Sequence, residues 1–181
     1  MGVLGVGTGI LSALGAVGWT APIFGQFLAL TAIGGSVGAY IGRRVTPTEL
    51  PQTVALLHSF VGLAAVFTSI ASFMIHPSGA LHATTAYLGT LIGGITFTGS
   101  LVAFGKLQGI ASSKPLHLPG RNLINIAMAA TNFGIMGYFL TGVSPTVGLA
   151  CLTANTALSF VQGWCDQTLV ANLKIPRLSS T

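Results

Sequence analysis

Residues 50–75 read LPQTVALLHSFVGLAAVFTSIASFMI, a run without an acidic or basic residue. A helix of this length crosses a hydrocarbon core of about 30 Å. One ionisable side chain, His58, interrupts it. At ~1.5 Å per residue, His58 lies roughly 10 Å along the axis from Pro51, inside the hydrocarbon and short of its midplane. An ionisable group at that depth is by default a functional-site hypothesis. Ser59, Gly62, Ala65, Ser69 and Ser72 recur at helical spacing. Such a stripe of small side chains lets a neighbouring helix approach closely. The pattern predicts that His58 faces other helices rather than lipid.

Outward from this helix the chain stays apolar. Of its 181 residues, 51% are hydrophobic and 5% charged, against about 25% charged in soluble domains. The expected fold is an all-α integral membrane bundle of about six transmembrane helices. The six apolar segments cover about residues 2–19, 21–42, 50–75, 83–105, 123–141 and 143–164. Residues 1–164 then make one membrane domain, and 165–181 an inner-side tail. Pro22 follows the first segment so closely that a helical hairpin is expected there. The run Thr46-Pro47-Thr48-Glu49 has the form of a capping box with proline at the first helical position, and it would start the His58 helix.

The formal net charge is +5. Arg43 and Arg44 follow the second segment, Lys106, Lys114 and Arg121 the fourth, and Lys174 and Arg177 the sixth. The connections around Thr20, Ser78 and Gly142 carry no Lys or Arg. This alternation puts both termini on the inner side of the membrane. It accounts for the basic balance without a nucleic-acid partner. The N-terminus has no basic region of a signal or transit peptide, and Val6 stands where the myristoylation pattern needs Ser or Thr.

Few residues can carry chemistry. His76 and His82 flank the outer loop and His117 lies in an inner one, so all three are expected in water. No histidine pair has helical metal-ligand spacing, and Cys151 and Cys165 form no disulfide framework, so no metal site is expected. The only acids are Glu49 and Asp166, which excludes catalysis by paired carboxylates within a span. Thr96, Thr98, Ser100, Asn125, Asn132, Thr153, Asn155, Thr156, Ser159 and Gln162 read as hydrogen-bonding glue between helices, some able to hold water beside His58. The Gly5-Val6-Gly7-Thr8-Gly9-Ile10 run fails as a dinucleotide fingerprint, with Ile at its sixth position and no preceding strand. Glycines four apart (Gly5 and Gly9; Gly34, Gly38 and Gly42; Gly89 and Gly93) read as close helix packing instead. His58 is left with two readings. It is a neutral imidazole bonded to a neighbouring helix, or a proton carrier, since a histidine's charge switches with small changes of environment.

The runs ELPQTVALLHSFVGLAAV (49–66), YLGTLIGGITFTGSLVAFGKLQG (87–109) and SSKPLHLPGRNLIN (112–125) resemble the membrane domain of proton-translocating nicotinamide nucleotide transhydrogenase. The part resembled is its beta, NADP-side half, over about residues 2–164. The resemblance implies a membrane segment that couples proton passage to hydride transfer between NADH and NADP on soluble domains. His58 stands at the family's proton-site histidine and would be the proton relay. No cofactor is expected on this chain, NADP and NAD being used by the parent enzyme. The implied partners are membrane lipid and other transhydrogenase subunits or domains in a dimeric assembly. The implied location is the mitochondrial inner membrane, or alternatively a bacterial plasma membrane.

The resemblance lapses after Trp164. CDQTLVANLKIPRLSST has no counterpart in the family's pattern, and the family's next two spans and nucleotide domains lie outside this sequence. The chain therefore reads as a shortened or alternatively ended product, or a fragment. The competing functional reading is a non-catalytic membrane scaffold that binds partner subunits without moving protons. The tail, ending in Ser-Ser-Thr, is too polar to cross the membrane and is expected at the inner surface. An unrelated transporter of inverted repeats finds no support in internal similarity.

Overall fold

The computed structural model describes residues 2–18, 20–77, 79–112 and 121–169. Six helices follow in order: α1 (Gly2–Val17), α2 (Ala21–Arg44), α3 (Leu50–Ile75), α4 (Ala80–Leu107), α5 (Arg121–Phe139) and α6 (Pro145–Leu169). Among the described residues there is no strand, so the expected all-α class is observed. Ser78, Lys114, His117, Lys174, Arg177 and the tail from residue 170 lie outside the described residues. By length and apolarity, α2, α3 and α4 are able to cross a membrane. Although α6 is 25 residues long, its Asn, Ser, Thr and Gln side chains lower its hydropathy. Several of these turn inward.

The chain divides into two units, residues 1–47 and 48–181. In the first, α1 stops where Gly18 takes φ 95°, a left-handed conformation that costs glycine no Cβ clash. The Gly18 N–H closes the helix on the Leu14 carbonyl at 3.0 Å. α2 opens after an extended Thr20 with Pro22 in its first turn, where proline's missing N–H is not needed. The break between the helices is thus present, but within the unit α1 and α2 form no packed interface. The expected hairpin packing does not form there. Nor do Gly34, Gly38 and Gly42 meet a neighbour in their own unit. Arg44 lies over the Tyr40 ring, 4.9 Å from its centroid, an aromatic–basic pair suited to a membrane interface.

In the second unit α4 is central, packed along α3 and α6, while α5 packs mainly on α6. Side-chain contacts fix the directions. His82, near the start of α4, meets Ser72, near the end of α3. The Lys106 ammonium, in the last turn of α4, donates to the Gln167 carbonyl in the last turn of α6. Asn125, early in α5, donates to Asp166, late in α6. The four helices therefore alternate up and down, with Lys106 and Asp166 at one end. That end agrees with the basic side inferred from the loops. Lys106 also sets a cation at the negative end of the α6 dipole.

The start of α3 differs from expectation. Pro47 to Glu49 form a turn, and the helix begins at Leu50 with Glu49 as N-cap and Pro51 in its first turn. Both prolines satisfy the start signal. The chain uses the second, and the Thr53 hydroxyl donates back to the Glu49 carbonyl at 3.0 Å.

Where α4 begins, the core is aromatic. Phe73, Tyr87 and Phe139 meet with ring centroids 5.2 and 5.5 Å apart. Gly148 lets α6 close on this cluster, because a Cβ there would meet the Phe73 ring at 2.5 Å. The outer surface carries large apolar side chains such as Val61, Phe67, Met74 and Ile92, which suits a lipid surround.

Candidate functional site

The small-residue stripe of α3 behaves as its sequence requires. Ser59 and Gly62 are buried, and Gly62 sits against the backbone of α4 at Gly93 and Phe97. The Ser59 hydroxyl is satisfied within its own helix by the Leu56 carbonyl at 2.7 Å. Ser69 packs beside Gly89, about two turns beyond Gly62. The glycine spacing in α4, Gly89 and Gly93, is thus matched to the stripe on α3.

His58 precedes Ser59 by one residue, which turns it about 100° around the helix. It is exposed and stands with Val54, Leu57 and Val61, all exposed. The expectation that it faces neighbouring helices is therefore not met in this four-helix unit. The cause is steric. α3 and α4 approach backbone to backbone at Gly62 and Gly93, and an imidazole at that seam would hold them apart. Among the described residues no hydrogen bond joins His58 to the polar groups of α4, α5 or α6.

Those polar groups form a seam of their own. The Tyr87 hydroxyl donates to the Asn132 carbonyl at 2.7 Å. The Asn132 amide donates to Gln162 Oε1 at 3.0 Å. The Asn155 amide donates to Thr90 Oγ1 at 2.8 Å and to the Tyr87 carbonyl at 3.2 Å. Ser159 donates to the Asn155 carbonyl at 2.6 Å, and Asn125 donates to Asp166 Oδ1 at 3.1 Å. Asn125, Asn132, Asn155 and Gln162 thus bridge helices as read from the sequence. Thr98, Thr153 and Thr156 instead bond carbonyls of their own helices. Asp166 lies past the apolar part of α6, and partial burial raises its carboxyl above the ordinary value. Sequence reasoning missed Tyr87 and Thr90, whose spacing of three on α4 was the available signal.

The remaining titratable groups separate. His76 is exposed as expected. His82 is not in open water: its Nε2 lies 3.3 Å from the Ser72 carbonyl and 3.4 Å from the Ser72 hydroxyl. Among the described residues no group of three or more His, Cys, Asp or Glu is placed to hold a metal ion. Cys151 and Cys165 are free thiols.

Comparison with known proteins gives a consistent picture. The profile of the NAD(P) transhydrogenase beta subunit matches residues 1–176. A Rhodospirillum rubrum protein named NAD(P) transhydrogenase subunit beta is 34% identical over 170 residues, which cover 89% of this chain and 36% of that protein. A second Rhodospirillum rubrum protein of the same name matches to the same extent. The chain thus spans about a third of the length of the curated relatives it matches.

Proposed function

Because this chain belongs to the NAD(P) transhydrogenase beta subunit family, we propose that it is a membrane segment through which the parent enzyme couples proton passage to hydride transfer between NADH and NADP. His58 is the proton relay in this reading. The observation that carries it is the lone imidazole of α3, set about 12 Å into an otherwise apolar helix and directed away from the α4 contact. A group held in water-free packing cannot exchange protons, whereas an open lateral imidazole can meet a further helix or a water path of the parent. Nucleotides are held by other parts of the parent protein, and other transhydrogenase subunits or domains are its partners. The bacterial relatives favour a plasma membrane over the mitochondrial inner membrane. Replacing His58 by alanine in the parent assembly, reconstituted in vesicles, tests the role through proton uptake.

A second reading, a scaffold that binds partner subunits without moving protons, is favoured by one feature. The four-helix unit does not itself enclose His58. The chain reconstituted alone into liposomes under a pH gradient separates the two. A flux that disappears in His58→Ala contradicts the scaffold. Equal impermeability of both forms restricts proton passage to the parent assembly.

A further inference from the structure

Asn125 Oδ1, Asn132 Oδ1 and Asn155 Oδ1 are buried without a hydrogen-bond partner among the described residues. Their amide nitrogens are all committed, to Asp166, to Gln162, and to Tyr87 and Thr90 respectively. Asn155 cannot be turned over to relieve its oxygen. The Tyr87 carbonyl only accepts, so it would then face a second acceptor. The neighbouring hydroxyls are also used. Thr90 donates to the Tyr87 carbonyl, Ser159 to the Asn155 carbonyl and Tyr87 to the Asn132 carbonyl. Asn132 and Asn155 are 1% and 0% exposed. Leaving such an acceptor bare costs roughly 1–3 kcal/mol. Buried polar groups that lack a protein donor are where internal water is held.

We propose that the α4–α5–α6 seam binds internal water, one molecule donating to each of these three oxygens. The seam is then a hydrated line that opens at the Lys106 end and reaches the middle of the bundle. Asp166 and Asn125 stand at its mouth, both only partly buried. From Asp166 to Asn155 the line follows ~16 Å of α6, about half the hydrocarbon thickness. A divalent cation is a poor alternative occupant, because neutral amide oxygens on separate helical turns do not supply the six or so oxygen ligands that such an ion takes. The proposal is independent of His58, which lies on α3 and outside this hydrogen-bonded seam.

Hydroxyl-radical footprinting by X-ray radiolysis tests it on the full chain in lipid nanodiscs, since bound water generates radicals that label the side chains it touches. Tyr87 and Phe73 are both buried, at 0% and 4% exposure, whereas Tyr138 is exposed. Labelling of Tyr87 should approach that of Tyr138 and exceed that of Phe73 several-fold. Protection of Tyr87 equal to that of Phe73 overturns the proposal, and this comparison needs no variant. In Asn155→Leu, which removes the acceptor, Tyr87 labelling should fall several-fold with Tyr138 unchanged. Undiminished Tyr87 labelling in that variant overturns the assignment of water to Asn155.

Discussion

Gly62 and Gly93 meet backbone to backbone: a methyl group on either would lie 2.7 Å from the carbonyl oxygen of the other. No rotamer change relieves that overlap, because the opposing atoms are main chain. Gly62→Val should therefore push α3 and α4 apart and cost roughly 1–3 kcal/mol. Thermal unfolding of the purified chain in nanodiscs should show a clear fall in midpoint. Ala64→Val, on the exposed side of the same helix, should leave it unchanged.

Tyr87 ties α4 to α5 through one hydroxyl. Tyr87→Phe keeps the ring against Phe139 and removes only the donor. The expected loss is about 1 kcal/mol, smaller than that of Tyr87→Ala, which also empties the aromatic cluster. Equal losses from the two substitutions would show that the hydroxyl, not the ring, dominates at this site.

Asp166 gives a pH dependence of definite sign. Burial raises its carboxyl in the folded chain, so folding favours the protonated form. The resulting stabilisation is full below the carboxyl's unfolded value and is lost as pH rises through the raised folded one. Asp166→Asn keeps an oxygen to accept from Asn125 and removes the titration. Its unfolding midpoint should exceed that of the wild type at neutral pH and converge with it in acid. A wild-type midpoint that rises between acid and neutral pH, and does so less in Asp166→Asn, contradicts this.

The up-and-down order of α3 to α6 puts Gln108 and Gly142 at opposite ends of the unit, both exposed. Gln108→Cys and Gly142→Cys should react with an impermeant thiol reagent from opposite faces of a sealed vesicle, the first from the inner side. Reaction of both from one face contradicts the topology.

The sequence makes some of these features legible and hides others for identifiable reasons. The bounds of α3 are readable because no Asp, Glu, Lys or Arg falls between Glu49 and His76. The interhelical roles of Asn125, Asn132 and Asn155 are readable because an amide within an apolar segment must find a partner. The direction of His58 is not readable from its depth. A step of one residue separates it from Ser59, and the Gly62–Gly93 approach decides which of the two turns inward. Tyr87 and Thr90 escape notice because α4 offers small residues on more than one face, and only the arrival of α5 and α6 selects theirs. His82 depends in the same way on where Ser72 ends up.

The proposed proton-relay role of His58 is tested most directly in the complete parent enzyme, reconstituted in vesicles, by measuring proton uptake and NADP reduction together in wild type and His58→Ala. Proton uptake that vanishes in the variant, with hydride transfer between the nucleotide domains still detectable under conditions that do not require pumping, is the predicted result. Normal proton uptake accompanying NADP reduction in His58→Ala would contradict the assignment.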